Sequence, residues 1–202
     1  MFKNRKNMKE MVRLSKMLIE GELQLEKFLE ILDTNQELLN TFNKYAKKYL
    51  YAFFKNIKKL REDIKLSTDT HIFVYQLIQG FLWTKKVEFK IKASEYVFFN
   101  KMMKQCPEWF QCRFDLFLKM YDNLEELVNE GKLKEQIIND CKYESYPPYW
   151  LLNPEWPVID GVVCIFQKQS AFPDYLNYDK EQITYTFLNP KTNEIIEVVQ
   201  YD

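Results

Sequence analysis

Apolar residues recur every three to four positions over the first two thirds of the chain and then lose that period, which predicts a helical body followed by a tail built differently. Met8, Met11, Ser15 and Leu18, flanked by Val12 and Ile19 and separated by Lys9, Arg13 and Lys16, predict an amphipathic helix over roughly 4–20 that stops before Gly21. Leu25, Phe28, Leu29 and Leu32 predict a short second helix. Asp33, Thr34 and Asn35 offer oxygen-bearing caps after it, and Glu37 stands three residues beyond Thr34 as a capping box requires. The stripe Leu38, Phe42, Tyr45, Ala46, Tyr49, Leu50, Phe53, Ile57, Leu60 and Ile64 is the longest helical pattern in the chain. Its length, far above the usual ~11–12 residues, leaves room for a break near Tyr51 and Ala52. Ser67 to Thr70 supply fresh N-caps for a helix carrying Ile72, Phe73, Tyr75, Leu77, Ile78, Phe81 and Leu82, apolar on so many sides that it belongs at the centre of the core. Val87 to Ile91 alternates apolar and charged residues and reads as a short strand or a connector. Ser94 opens a helix through Met103, Pro107 opens another through Tyr121, and Leu124 to Ile138 complete the body near Asp140.

The pattern changes near residue 143. The run YPPYWLLNPEWPVID, from Tyr146 to Asp160, is too proline-dense for regular structure and too aromatic for a solvated linker. Val162 to Gln167 predicts a strand, and Ile183 to Leu188 and Glu194 to Tyr201, either side of the turn residues from Asn189 to Asn193, predict a hairpin. Paired Ile195–Ile196 and Val198–Val199 point to a last strand covered on both faces. The expected fold is α+β and predominantly α-helical. A helical body, 1–142, is followed by a proline- and aromatic-rich connector and β subdomain, 143–202, packed on it, with a small antiparallel sheet of about three strands at the C-terminus.

Composition adds a gradient that the totals hide. The chain has 202 residues, 47% hydrophobic and 16% aromatic, enough to bury a core, and a formal net charge of zero. Residues 1–66 hold 15 Lys+Arg against 9 Asp+Glu, residues 67–142 hold 11 of each, and residues 143–202 hold 3 against 9. No apolar run approaches the roughly 18 residues of a membrane span, and the basic start MFKNRKNMKEMV lacks a signal peptide's apolar stretch and cleavage site, so a cytoplasmic protein without a membrane partner is expected. Cys106, Cys112, Cys141 and Cys164 form no C-x-x-C pair and read as reduced, buried thiols. Four glycines and no glycine-rich loop argue against a nucleotide cofactor, and no cofactor is expected.

Candidate chemistry is sparse. His71 is the only histidine, which excludes a site needing two imidazoles. It could serve as a general base, but its place at the start of an apolar helix favours a capping or core role. The spacing of Cys106 and Cys112 fits no standard zinc pattern, and no metal is expected. The carboxylate pairs Asp122–Glu125 and Asp174–Asp179 could do acid–base work, although Glu125, Glu126 and Glu130 look like an ordinary solvated helix face. Lys3, Arg5, Lys6, Lys9, Arg13 and Lys16 are better read as a helix exterior than as an arm for nucleic acid, so no nucleic-acid partner is expected. The tail differs, because Tyr146, Tyr149, Trp150, Trp156, Phe172, Tyr175 and Tyr178 are interleaved with Glu155, Asp160, Asp174 and Asp179. Aromatics anchor interfaces and local negative potential speeds capture of a basic partner. Trp150, Glu155, Trp156, Asp160, Asp174, Tyr175, Tyr178 and Asp179 are therefore the candidate partner-binding residues, although Trp150 and Trp156 are better read as plugging the gap between helices and sheet.

The run PPYWLLNPEWPVIDGVVCIFQKQS, residues 147–170, followed by a terminal hairpin, resembles the C-terminal part of immunity proteins from bacterial polymorphic-toxin and contact-dependent inhibition loci, in which a PEWP phrase precedes a strand. The resemblance covers about a quarter of the chain. It implies a non-catalytic cytoplasmic antitoxin that binds and neutralises a cognate toxin domain, often a nuclease, and it carries over no contact residues, because such proteins share no fixed contact motif. The alternative is an enzyme with a carboxylate or His71 site between helices and sheet.

Overall fold

The computed structural model describes residues 2–49, 60–63, 67–173 and 181–201. It has the expected α+β architecture, with helices first and a three-stranded antiparallel sheet at the C-terminal end. The chain divides into two compact units, Met1–Asn100 and Lys101–Asp202. The change of composition at residue 143 falls inside the second unit, because several short helices and the whole sheet share it.

In the first unit, helix α1 (Phe2–Ile19) buries Met11, Leu14, Leu18 and Ile19, the stripe its spacing sets on one face, and packs on α3 (Gln36–Tyr49) and α4 (Thr68–Thr84). Gly21 ends α1 in the left-handed conformation, φ 75°, and the N–H groups of Glu22 and Leu23 return to the Met17 carbonyl. Helix α2 (Leu25–Thr34) runs to Thr34, whose hydroxyl donates to the Glu30 carbonyl at 2.9 Å. The cap of α3 is consequently Asn35, whose Oδ1 accepts the Leu38 N–H at 3.2 Å, one residue beyond the Thr34–Glu37 box the sequence suggested. The possible break at Tyr51 and Ala52 lies outside the described residues. Helix α4 is buried around most of its circumference, and Phe81 meets Phe42 edge to face at 5.9 Å. Val87 to Ile91 is a connector that runs to the end of α1, where Lys92 and Ala93 donate their N–H groups to the Ile19 carbonyl, one of those that a helix end leaves without an intrahelical partner. Helix α5 (Ser94–Met103) follows, and Tyr96 stacks on Tyr75 at 5.3 Å.

The helix expected from Pro107 to Tyr121 is two pieces, a 3₁₀ turn at Glu108–Phe110 and α6 (Phe114–Met120). Arg113 leaves the helical region, with ψ 147°, and Trp109 and Phe110 point into an aromatic cluster with Trp156. Tertiary packing has overridden local propensity there. Helices α7 (Leu124–Glu130) and α8 (Leu133–Asp140) end the helical part, with Gly131 as the left-handed stop between them.

The strand expected at Val162 to Gln167 is divided at Cys164. Strands β1 (Val158–Ile159) and β2 (Val162–Val163) pair through the turn Asp160–Gly161, and β3 (Ile165–Pro173) then joins β4 (Glu181–Leu188) and β5 (Ile195–Tyr201) in the order β3-β4-β5. Phe166, Phe187 and Tyr185 point to the inner face with Trp156. The expectation that β5 is covered on both faces is corrected. Its residues alternate, with Ile195, Glu197, Val199 and Tyr201 exposed on one face and Gln200 buried on the other.

Candidate functional site

The proline-rich segment lies as a strap over the inner face of the sheet, within the second unit. It begins against β3, where Phe166 donates its N–H to the Lys142 carbonyl at 2.9 Å and Glu144 donates to the Phe166 carbonyl at 3.2 Å. Prolines then prevent a continued ladder, because they carry no N–H and fix φ. Side chains from the sheet satisfy the strap instead. Gln169 of β3 accepts the Tyr149 N–H at 2.7 Å, and Tyr185 of β4 accepts the Leu151 N–H at 2.7 Å. Gln200 of β5 accepts the Leu152 N–H at 3.0 Å and donates to the Asn153 carbonyl at 2.8 Å. Each strand thus contributes one polar side chain from its inward row. The Tyr185 hydroxyl donates to the Tyr149 carbonyl at 3.1 Å or to Gln200 Oε1 at 3.3 Å, and burial holds its pKa above the usual value.

This anchoring decides which strap residues face inward. Trp150 turns inward against Tyr185, ring centroids 4.5 Å apart, and its Nε1 is buried with no hydrogen-bond partner among the described residues. Trp156 is 2% exposed, its indole donates to the Cys164 carbonyl at 2.7 Å, and its ring touches Trp109, Phe110, Phe166 and Phe187. It is a core residue and offers no contact surface, which corrects its place among the candidates. Tyr149 and Leu152 turn outward, 75% and 52% exposed, with Tyr146 exposed just before them.

Among the candidate carboxylates, Glu155 is exposed beside Trp156, and Asp160 is exposed at the tip of the β1–β2 turn. Asp160 has φ 49° and Gly161 φ 75°, the left-handed pair of a type I′ turn, so the choice of Asp and Gly there has a conformational cause. Asp174, Tyr175, Tyr178 and Asp179 lie outside the described residues. Tyr149 and Leu152 on the strap, and Ile195, Val199 and Tyr201 on the outer face of β5, are among the exposed large apolar residues. The signal for the β5 residues was present in the adjacent apolar pairs, since a strand must send one member of each pair outward.

The other candidate chemistry resolves into local contacts. Nδ1 of His71, in the first turn of α4, lies 2.8 Å from Oε1 of Glu95 in the first turn of α5, which ties the two helices. Asp122 and Glu125 are exposed at the start of α7. Arg13 pairs with Glu10 at 2.7 Å, and the cleft beside it, about 490 Å³, mixes Lys6, Lys9 and Arg13 with Glu10 and Glu37 rather than presenting one sign of charge. All four cysteines are free and buried, and burial pushes the Cys106 thiol up to about 12. Among the described residues no three His, Cys, Asp or Glu side chains come together as metal ligands, and no helix is long and apolar enough to cross a membrane.

Comparison with known proteins identifies no relative: no family model, no curated protein and no solved structure matches this chain.

Proposed function

We propose that this protein is a non-catalytic cytoplasmic immunity protein that binds and neutralises a cognate toxin domain through the acidic, aromatic surface of its second unit. The observation that carries the reading is the strap. Its outward Tyr149 and Leu152 sit on backbone held by Gln169, Tyr185 and Gln200, so two large apolar contacts are displayed in a fixed conformation and little ordering entropy is lost on binding. The surrounding sequence, 3 Lys+Arg against 9 Asp+Glu over residues 143–202, suits a basic partner such as a nuclease. Co-expression tests it. The chain should restore growth to cells expressing a toxic domain encoded beside its own gene and should copurify with that domain at fixed stoichiometry. Tyr149→Ala combined with Leu152→Ala should weaken the complex while leaving the fold intact. Unrelieved toxicity with no complex formed would overturn the reading.

A second reading, an enzyme using His71 as general base, draws on the Glu95 carboxylate that orients its imidazole at 2.8 Å. It requires a turnover that His71→Ala abolishes and that the Tyr149 and Leu152 substitutions leave untouched.

A further inference from the structure

The two edges of the sheet are protected very differently. An unpaired edge strand is a template for another strand, and folded proteins usually blunt it with a bulge, a lysine, a proline or a covering segment. The β3 edge has all four: residues 142–144 lie against its start, its register shifts between Phe166 and Lys168, Lys168 is exposed, and Pro173 ends it. Among the described residues the β5 edge has none of these. IIEVVQY contains no Lys, Arg, Pro or Gly, its seven residues pair with β4 in unbroken register, and β4 is its only backbone partner among the described residues. Its outer face leaves Ile195, Val199 and Tyr201 58%, 37% and 61% exposed. A row of free backbone groups beside an apolar face is the arrangement that accepts an added strand.

We infer that β5 is a docking edge for an extended, lysine- or arginine-bearing segment of the partner, which adds to the sheet as a fourth strand next to Ile195–Tyr201. The charge around the edge selects this occupant. Glu197 is exposed on the outer face in the middle of the strand and Glu194 just before it, so an incoming strand that alternates basic and apolar side chains sets its basic row on the face of Glu197 and its apolar row beside Ile196 and Val198 on the other face. A second copy of this chain is disfavoured, because it would bring a second Glu194 and Glu197 to the edge with no basic residue in the strand to offset them. The inference rests on the immunity reading for the identity of the partner, but the edge can be tested apart from it.

The probes are an alternating lysine–valine heptapeptide and its glutamate–valine counterpart, titrated into the full-length protein while backbone amides are followed by NMR. The basic peptide should shift the amides of residues 195–201 and slow the exchange of alternate ones, and the acidic peptide should leave them unmoved. Val199→Lys, on the exposed face, should weaken this binding by about tenfold or more, and Glu197→Lys likewise, with the thermal midpoint unchanged. Equal response to both peptides, no response at β5, or self-association of the protein through β5 would overturn the inference. If the cognate toxin is bound with undiminished affinity by Val199→Lys and Glu197→Lys, the docking edge is wrong while the immunity reading stands. If no toxin is neutralised but the basic peptide docks on β5, the reverse holds.

Discussion

The Trp156 indole donates its Nε1–H to the Cys164 carbonyl at 2.7 Å, across the two-residue hairpin that Asp160 and Gly161 close. With the Cys164 N–H donated to the Pro157 carbonyl at 3.0 Å, that bond ties the end of the strap to the beginning of the sheet, and the ring beneath it joins Trp109 and Phe110 to Phe166 and Phe187. Trp156→Phe keeps part of the ring contact but leaves the carbonyl without its partner, and should cost about 1–3 kcal/mol. Trp156→Ala adds a large cavity and should cost about 3–5 kcal/mol. Urea unfolding of the three proteins measures both. Equal stability of Trp156→Phe and the parent would mean that the hydrogen bond contributes nothing.

Tyr185 and Gln200 act on the strap as a unit, because the Tyr185 hydroxyl and Gln200 Oε1 lie 3.3 Å apart and each accepts a different strap N–H. Tyr185→Phe should destabilise by about 1–2 kcal/mol and make the chain near Leu151 more sensitive to limited proteolysis. Gln200→Leu should do the same, and the double variant should fall short of the sum of the two. Strict additivity in a double-mutant cycle would show that the two side chains hold the strap independently.

Much of this was legible in the sequence, and the reasons for the misses are specific. The stripe Met8, Met11, Ser15 and Leu18 and the all-round apolar Thr68–Thr84 segment declared their helices because a repeated 3.6-residue period survives any change of partner. The 3₁₀ turn at Glu108–Phe110 was hidden, since Trp109 and Phe110 at helical spacing look like a helix face until Trp156 draws them into one cluster. Trp150 and Trp156 both turn inward from one proline-rich run, and nothing in the local sequence tells them from the outward Tyr149 and Leu152. The difference arises from the sheet side chains that turn Tyr149 out and Trp150 in, which bond to strap residues up to 48 positions away along the chain. The exposed face of β5 is hard to see in the sequence because adjacent apolar pairs read as two-sided burial, whereas Glu197 between them marks an outward row.

Buried thiols and phenols set the alkaline limit of stability. Burial pushes Cys106 from 9.0 up to about 12 and Tyr75 from 10.0 up to about 12, and it raises Cys141 and Tyr121 as well. Below about pH 7.5 these groups are protonated in both folded and unfolded chains and add no pH dependence. Above about pH 9 the unfolded chain ionises while the folded chain cannot, so stability should fall steadily as pH rises toward the folded values. Urea midpoints measured across this range would show the decline, and the thiols should stay unreactive toward a disulfide reagent at about pH 8 until denaturant is added. Rapid labelling of the native protein would contradict the burial of all four cysteines.

Gly21 and Gly161 share a left-handed φ of 75° but differ in surroundings, which separates two costs usually confounded. A Cβ on Gly161 would meet no atom within 4 Å, so Gly161→Ala should cost only the backbone term, about 1–2 kcal/mol. A Cβ on Gly21 would stand 3.3 Å from the Lys92 carbonyl oxygen, a backbone atom held by the bonds of Lys92 and Ala93 to the Ile19 carbonyl. Gly21→Ala should therefore cost more than Gly161→Ala, because the connector must shift before the methyl group fits. Chemical denaturation of the two variants against the parent gives the difference directly. Equal losses would show that the connector gives way freely, and that the close approach at Gly21 does not help to fix where α1 ends.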